Sequence, residues 1–188
     1  MAIITIGGNL GAGKTTLAGK LTEALGYEEL YVGGIFREMA AERKMTIEEF
    51  YMKIKDDPRI DREVDARQAK LMREKDNLVV QGRVAWFFSR QSPFKSVNLL
   101  LTVEPAIGGK RVAERNENIG KSITDVTQAT KERTAVERER YKALYGIEDY
   151  FDPKHYDIIL DTSRTTAEGV FKSIMEQLSR RGIIAASS

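Results

Sequence analysis

Cysteine is absent from the 188-residue sequence and histidine occurs once, which removes several kinds of chemistry. Without cysteine the chain can form neither disulfides nor thiolate metal sites. A single histidine cannot serve both as the base of a Ser-His-Asp triad and as a metal ligand. That histidine, His155, precedes an apolar strand-like run, and this position indicates a surface or packing residue.

Long apolar runs and a strong excess of one charge are also absent. No stretch approaches the ~20 apolar residues that a membrane-spanning helix needs. The 30 basic residues nearly balance the 28 acidic ones, which argues against a nucleic-acid binder with a broad basic face. The first strand-like run begins almost at once and leaves no room for a targeting peptide. We therefore expect a monomeric cytoplasmic enzyme that binds neither membrane nor nucleic acid.

The most informative motif lies at residues 8–15, GNLGAGKT, which fill every defined position of the phosphate-binding pattern GxxxxGK[ST]. A β-branched apolar run precedes the motif and an amphipathic helical pattern follows it. Backbone N–H groups of such a loop, with the N-terminus of the next helix, bind phosphate oxygens. Lys14 is expected to reach the β- and γ-phosphates of ATP, and the Thr15 hydroxyl is expected to bind Mg²⁺. The other predicted ATP-binding residues here are Gly8, Asn9, Leu10, Gly11, Ala12, Gly13 and Thr16.

Apolar strand-like runs alternate with longer helical patterns along the chain, which predicts an α/β fold with a mostly parallel sheet. The predicted strands are 3–6, 29–32, 78–80, 99–103 and 157–160. The predicted helices are 14–25, 35–44, 47–55, 60–74, 84–90, 106–116, 122–145 and 166–180. We expect one domain over residues 1–188. Within it, 33–75 holds more helix than a simple crossover needs and is predicted to be an acceptor-binding insert, and 111–140 is predicted to be a lid.

Two arginines follow glycines at predicted strand ends. Arg37 comes shortly after the second strand, and Arg83 comes directly after Gln81 and Gly82 at the end of the third. Ligands of open parallel sheets bind at the carboxyl ends of the strands, so both arginines should face the phosphate loop. Planar, permanently charged guanidinium groups suit a second phosphate, although each arginine could instead pair with a helix carboxylate. A loop lysine, a metal ion and several arginines are what phosphoryl transfer requires.

Taken together, these parts resemble the archaeal-type cytidylate kinases, which are nucleoside monophosphate kinases of the P-loop group. The resemblance covers nearly the whole chain, and six segments carry it: 8–15, 33–37, 57–68, 82–83, 132–141 and 156–163. It implies a P-loop NTPase fold with a five-stranded parallel sheet, a helical nucleoside monophosphate-binding insert and a short lid. It also implies Mg²⁺-assisted transfer of the γ-phosphoryl group of ATP to CMP or dCMP.

The resemblance implies which residues meet the reacting phosphates. Arg37 and Arg83 would bind the acceptor phosphate, with Gly34 in the turn that leads to Arg37. Arg133 and Arg140 would grip phosphates in the transition state as the lid closes.

The resemblance also implies contacts to the two nucleosides. Glu137 would help to hold the acceptor nucleotide, Arg115 would border the ATP base, and Arg62 and Asp65 would read the cytosine edge. The chain departs from the family pattern at Gln81, where a glutamate is expected in related archaeal sequences.

Two other functions stay open from the sequence. One is a kinase for a different acceptor, such as AMP, UMP or a deoxynucleoside. The other is a nucleotide-gated P-loop module that hydrolyses ATP slowly to switch a partner.

Overall fold

A computed structural model describes residues 2–46, 49–50, 53–54, 58–114 and 122–185 of the protein. The strands are β1 (Ile3–Gly8), β2 (Glu28–Tyr31), β3 (Leu78–Gln81), β4 (Ser96–Thr102) and β5 (Ile158–Asp161). The helices are α1 (Lys14–Leu25), α2 (Val32–Glu42), α3 (Pro58–Glu74), α4 (Ala85–Ser89), α5 (Pro105–Ala113), α6 (Ile123–Tyr145) and α7 (Ala167–Arg180). A short 3₁₀ turn, Pro153–His155, precedes β5.

The five strands form one sheet in the order β2-β3-β1-β4-β5, and every neighbouring pair is parallel. This confirms the predicted fold class. Ile6 on β1 lies opposite Gln81 on β3 and Leu99 on β4. The carboxyl ends of the three central strands therefore reach the same edge of the sheet, which is where ligands of such sheets bind.

Helices cover both faces of the sheet because the strand side chains alternate between two cores. Ile4 and Ile6 point into a core that contains Leu21 of α1 and Ile174 of α7. Ile3 points to the opposite face, into the core that contains Trp86 and Tyr150. Among the helices of the described residues, none is both long enough and apolar enough to cross a membrane.

A third apolar cluster lies between α2 and α3 and belongs to the region predicted as an insert. Its members are Ile35, Phe36, Met39, Ala40, Phe50, Ile54, Ile60 and Val64, all of them buried. The predicted helix 47–55 lies partly outside the described residues, but Phe50 and Ile54 contribute to this cluster. The region thus has a small core of its own, separate from the two cores that flank the sheet.

The glycine pair after β2 was predicted as a turn, and this prediction was wrong. Helix α2 begins at Val32 and includes Gly33 and Gly34, and β2 ends one residue earlier than predicted. A Cβ atom at Gly33 would lie 2.7 Å from atoms of the Tyr31 ring. The glycine at position 33 therefore lets the Tyr31 ring pack against the first helical turn.

A buried polar network ties β1, α4, β4 and the approach to β5 together. The hydroxyls of Thr5 and Ser89 both donate to Asn98 Oδ1, each at 2.7 Å. The Asn98 backbone N–H and side-chain Nδ2 donate to Asp157 Oδ2 at 2.7 and 3.2 Å. Asn98 is thus the acceptor of two hydroxyls and a donor to the carboxylate that precedes β5.

Replacing Asn98 with leucine should destabilise the fold strongly. The Asn98→Leu change leaves the buried Thr5 hydroxyl without its acceptor and takes one donor from the Asp157 carboxylate, and each polar group left unpaired costs about 1–3 kcal/mol. We expect a loss of about 2–4 kcal/mol in the free energy of unfolding, measured by urea denaturation. Thr5→Val is the control, because it removes one donor and leaves Asn98 bonded to Ser89. Equal losses for the two variants would contradict the role given to Asn98.

Candidate active site

The phosphate-binding loop connects β1 to α1 and has the backbone conformation that its glycines predict. Gly8, Gly11 and Gly13 have φ values of 141°, 79° and 85°. A Cβ atom at Gly8 would lie 2.1 Å from the Leu101 carbonyl oxygen, and one at Gly11 would lie 2.4 Å from the Gly108 carbonyl oxygen. Only glycine fits at Gly8 and Gly11, because the loop touches the backbone of β4 and α5 there.

Lys14 lies over this loop at the first position of α1. Its ammonium group donates to the carbonyl oxygens of Gly8 and Asn9, both at 2.8 Å. Thr15 follows at an exposed position on the first turn of the helix. The lysine charge and the threonine hydroxyl therefore lie beside the loop N–H groups and the positive end of the helix dipole.

The arginine cavity, about 160 Å³ in volume, opens beside Lys14 and Thr15. Its charged lining residues are Lys14, Arg37, Arg83, Glu137 and Arg140. The other lining residues are Leu10, Gly11, Gly13, Thr15, Tyr31, Val32, Gly33, Phe36, Gln81, Gly82 and Tyr141. Four cations therefore face one carboxylate in a single cavity, which favours binding of a polyanion.

Arg83 is held in place inside the arginine cavity. Its Nε forms a close ion pair with Glu137 Oε2, and only 13% and 7% of the two side chains are exposed. The Tyr150 and Phe151 rings lie 5.6 and 5.9 Å from its guanidinium carbon. Burial raises the pKa of Tyr150 to about 12, so this phenol stays neutral at physiological pH. Glu137, which the resemblance assigns to the acceptor nucleotide, is bound to Arg83 in this structure.

Aromatic rings also position the two other arginines of the cavity. Arg37 is exposed and its guanidinium lies 5.4 Å from the Tyr31 ring. Arg140 lies 5.8 Å from the Phe36 ring and donates to the Tyr141 hydroxyl at 3.0 Å. Burial raises the pKa of Tyr141, so its hydroxyl also remains protonated.

The threonine cavity, about 280 Å³ in volume, lies on the other side of the loop. Its lining residues are Gly11, Ala12, Gly13, Thr16, Leu17, Arg111, Thr162, Thr165, Thr166, Ala167 and Val170. Arg111 spans it, because its guanidinium donates to the Gly11 carbonyl at 3.3 Å and to the Thr162 hydroxyl and carbonyl at 3.2 and 2.9 Å. The cavity joins the start of α1 to the segment between β5 and α7.

Sequence reasoning missed Arg111 and selected Arg115 for this side of the loop. Arg115 lies outside the described residues. The signal that could have found Arg111 is its place in the last turn of α5, the helix that follows the carboxyl end of β4. Its bonds to Thr162 bridge 51 residues of sequence, so spacing alone could not reveal them.

The remaining predicted residues lie outside the two cavities or outside the described side chains. Asp65 is buried on α3 and accepts a close hydrogen bond from the Tyr145 hydroxyl. Arg62 is exposed one turn earlier on the same helix. Arg133 belongs to α6, and its side chain is not among those the structure describes. His155 stacks on Trp86 with ring centroids 3.8 Å apart, which confirms its expected packing role.

The sequence model of the cytidylate kinase-like family matches residues 3–164, which include the loop, the lining of the arginine cavity and all five strands. The chain belongs to this family. The match confirms the resemblance to cytidylate kinases that the motifs indicate, and it confirms that the protein is a kinase.

Relatives in this family are similar over most of their length. The cytidylate kinase of Pyrococcus furiosus is 40% identical over 169 residues, which are 90% of this chain and 84% of the relative. The cytidylate kinase of Methanopyrus kandleri is 37% identical over 176 residues, which are 90% of this chain and 89% of the relative.

Solved structures show the same fold at lower identity. Shikimate kinase from Bacteroides thetaiotaomicron aligns with a TM-score of 0.63 at 19% identity, covering 95% of this chain and 98% of the other. An uncharacterized protein from Eubacterium ventriosum aligns with a TM-score of 0.70 at 20% identity, covering 95% of this chain and 99% of the other. Both likenesses show the fold alone and carry no information about the acceptor.

Removing one partner of the ion pair in the arginine cavity should destabilise the fold more than removing both partners. Glu137→Leu leaves the Arg83 charge without its partner, and losing one partner of a buried pair costs about 3–5 kcal/mol. The double variant Arg83→Met/Glu137→Leu removes both charges and should recover at least about 1 kcal/mol of that loss. Urea denaturation of the wild type, both single variants and the double variant measures this coupling. Additive losses would show that the two side chains do not stabilise each other.

Proposed function

We propose that this chain transfers the γ-phosphoryl group of ATP to CMP, and also to dCMP, to form the nucleoside diphosphate. The observation that carries the proposal is the arginine cavity, where Lys14 of the phosphate loop and three arginines face a common space. Membership of the cytidylate kinase-like family supports CMP as the acceptor. A neutral acceptor would not need Arg37 and Arg83 in the arginine cavity, whereas a monophosphate acceptor does.

On the donor side, the loop N–H groups and Lys14 would bind the triphosphate. The threonine cavity lies beside Gly11 and Gly13 and is large enough for a planar base. We assign the base of ATP to this cavity, with the Arg111 guanidinium at its border. Arg115, which the resemblance places at the ATP base, stays a prediction.

On the acceptor side, Arg37 and Arg83 would hold the CMP phosphate in line with the γ-phosphate. The Glu137 carboxylate binds Nε of Arg83, and the terminal nitrogens of the guanidinium would donate to phosphate oxygens. Arg140 would neutralise the charge that spreads over the transferring group, as would Arg133 by prediction. Arg62 and Asp65 stay predicted readers of the cytosine edge.

A magnesium ion fits the residues at the loop. The Thr15 hydroxyl is exposed beside Lys14 and lines the arginine cavity. Oxygen ligands of this kind, together with phosphate oxygens and water, are what Mg²⁺ prefers. Thr15 would hold the ion beside the phosphates, where it would supply positive charge against the charge that develops during transfer.

A coupled assay of ADP release tests the proposal with ATP and Mg²⁺ against CMP, dCMP, UMP, AMP, GMP and cytidine. Strong stimulation by CMP and dCMP is the expected result. Preference for AMP or UMP would keep the phosphoryl-transfer mechanism and overturn the acceptor. ATP hydrolysis that no acceptor stimulates would favour the switch module instead.

Arg37→Ala should impair use of the acceptor and spare the donor. Because we place Arg37 at the CMP phosphate alone, the KM for CMP should rise by about tenfold or more and kcat should fall, while the KM for ATP stays constant. Steady-state kinetics with each substrate varied in turn gives both constants. Arg180→Ala is the matched control, since Arg180 is exposed and forms an ion pair with Glu176 on its own helix. Unchanged kinetics for CMP would remove Arg37 from the site.

Arg111→Ala should impair use of the donor and spare the acceptor. Loss of the guanidinium at the threonine cavity should raise the KM for ATP by about tenfold and leave the KM for CMP nearly unchanged. Lys110→Ala is the neighbouring control, because Lys110 is exposed and lies 3.9 Å from Glu114 on its own helix. An Arg111→Ala enzyme that loses affinity for CMP rather than ATP would contradict the assignment of the base.

A further inference from the structure

Tyr31 is the last residue of β2 and lines the arginine cavity. It lies opposite Gln81 in the register of the sheet, at the edge where the phosphate loop begins. The residue is 38% exposed, and it belongs to none of the three apolar clusters that the described residues form. Burial in a core therefore does not explain why an aromatic ring stands at this position.

Two glycines in the first turn of α2 make room for the Tyr31 side chain. A Cβ atom at Gly33 would lie 2.7 Å from atoms at the far end of this side chain, and one at Gly34 would lie 3.4 Å from the ring. Glycine is among the poorest helix formers, so two of them in one turn weaken the start of the helix. The sequence accepts this weakness where the ring packs, which indicates that the place of the ring matters to the site.

The Tyr31 ring lies beside the guanidinium group of Arg37. The guanidinium carbon is 5.4 Å from the ring centroid. An aromatic face attracts a guanidinium group without using its N–H donors, and the ring carries no net charge of its own. Arg83 is held differently, because the Glu137 carboxylate binds its Nε. The contact with Tyr31 therefore leaves both the charge and the donors of Arg37 for a ligand.

We propose that Tyr31 is a positioning residue for phosphoryl transfer, whose ring holds the Arg37 guanidinium in place for the phosphate of the acceptor. The inference rests on the proposed function, because it takes the phosphate of CMP as the ligand of Arg37. Tyr31 acts through Arg37 and makes no contact of its own with the reacting groups.

The physical argument concerns the freedom of the arginine side chain. Arg37 is exposed on α2, and a long exposed side chain samples many rotamers. A phosphate that binds to it must restrict this freedom, and the lost entropy weakens binding. The ring restricts Arg37 before the phosphate arrives, so that more of the interaction appears as affinity. Removing the ring should therefore weaken use of the acceptor and leave the donor unaffected.

Steady-state kinetics of Tyr31→Leu and Tyr31→Phe tests the inference. Tyr31→Leu removes the aromatic face and should lower kcat/KM for CMP about fivefold, mainly through KM, while the KM for ATP stays constant. Tyr31→Phe keeps the face and removes only the hydroxyl, so its constants should lie within about twofold of the wild type. Equal losses in the two variants would overturn the inference, because the hydroxyl rather than the ring face would then matter.

A double-mutant cycle separates positioning from a purely structural role. In the Arg37→Ala background, Tyr31→Leu should change kcat/KM for CMP by less than about twofold, because no guanidinium is left for the ring to hold. The same loss in both backgrounds would overturn the inference, because Tyr31 would then act without Arg37. Phe171→Leu is the matched control, since its ring lies 5.5 Å from Lys20 Nζ and lines neither cavity. Its kinetics should equal those of the wild type.

Gly33→Ala displaces the ring without removing it, and it serves as the test if Tyr31→Leu does not fold. The added methyl group would meet the movable end of the Tyr31 side chain, while alanine favours the helix. We expect thermal unfolding at the same or a higher temperature, together with a rise of about threefold in the KM for CMP. A folded Gly33→Ala variant with an unchanged KM for CMP would overturn the inference.

The two proposals fail in distinguishable ways. A wild type that does not phosphorylate CMP would overturn the proposed function and this inference together. A wild type that phosphorylates CMP, compared with a Tyr31→Leu variant whose kcat/KM lies within about twofold of it, would overturn this inference alone.

Discussion

The candidate site depends on the parallel register of the three central strands. Because β1 lies between β3 and β4, the phosphate loop, the Gln81 to Arg83 segment and the entry to α5 meet at one edge of the sheet. The loop lies so close to β4 that a Cβ atom at Gly8 would collide with the Leu101 carbonyl oxygen. A change in the register of β1 against either neighbour would therefore separate the donor loop from the arginines. It would also create steric clashes in the core.

This convergence creates electrostatic repulsion, because four cations share a small cavity with one carboxylate. The protein holds the four cations by three means: carbonyl oxygens for Lys14, a carboxylate for Arg83, and aromatic faces for Arg37 and Arg140. These contacts fix the charges before any ligand arrives, so that little reorganisation is needed when phosphate binds. Polyanionic ligands should then stabilise the fold, because they relieve the repulsion among these groups.

Local sequence patterns predicted local structure well, but they could not predict contacts between residues that are distant in sequence. The bounds of α1 are those predicted, since glycines flank an amphipathic pattern, and the motif at 8–15 has the predicted loop conformation. The turn predicted at Gly33 is instead the first turn of α2, where the missing side chain leaves room for the Tyr31 ring. Across longer separations, the sequence could identify Glu137 as a candidate site residue but could not show that Arg83 is its partner. The roles of Arg62 and Asp65 remain predictions.

Helix α6 runs unbroken for 23 residues, from the Ser122 cap to Gly146. Glu137, Tyr141 and Tyr145 lie four residues apart and join the helix to three different parts of the protein: the arginine cavity, the aromatic core and α3. Residues four apart lie on one face of a helix. A rotation of α6 about its own axis would therefore disturb all three contacts together.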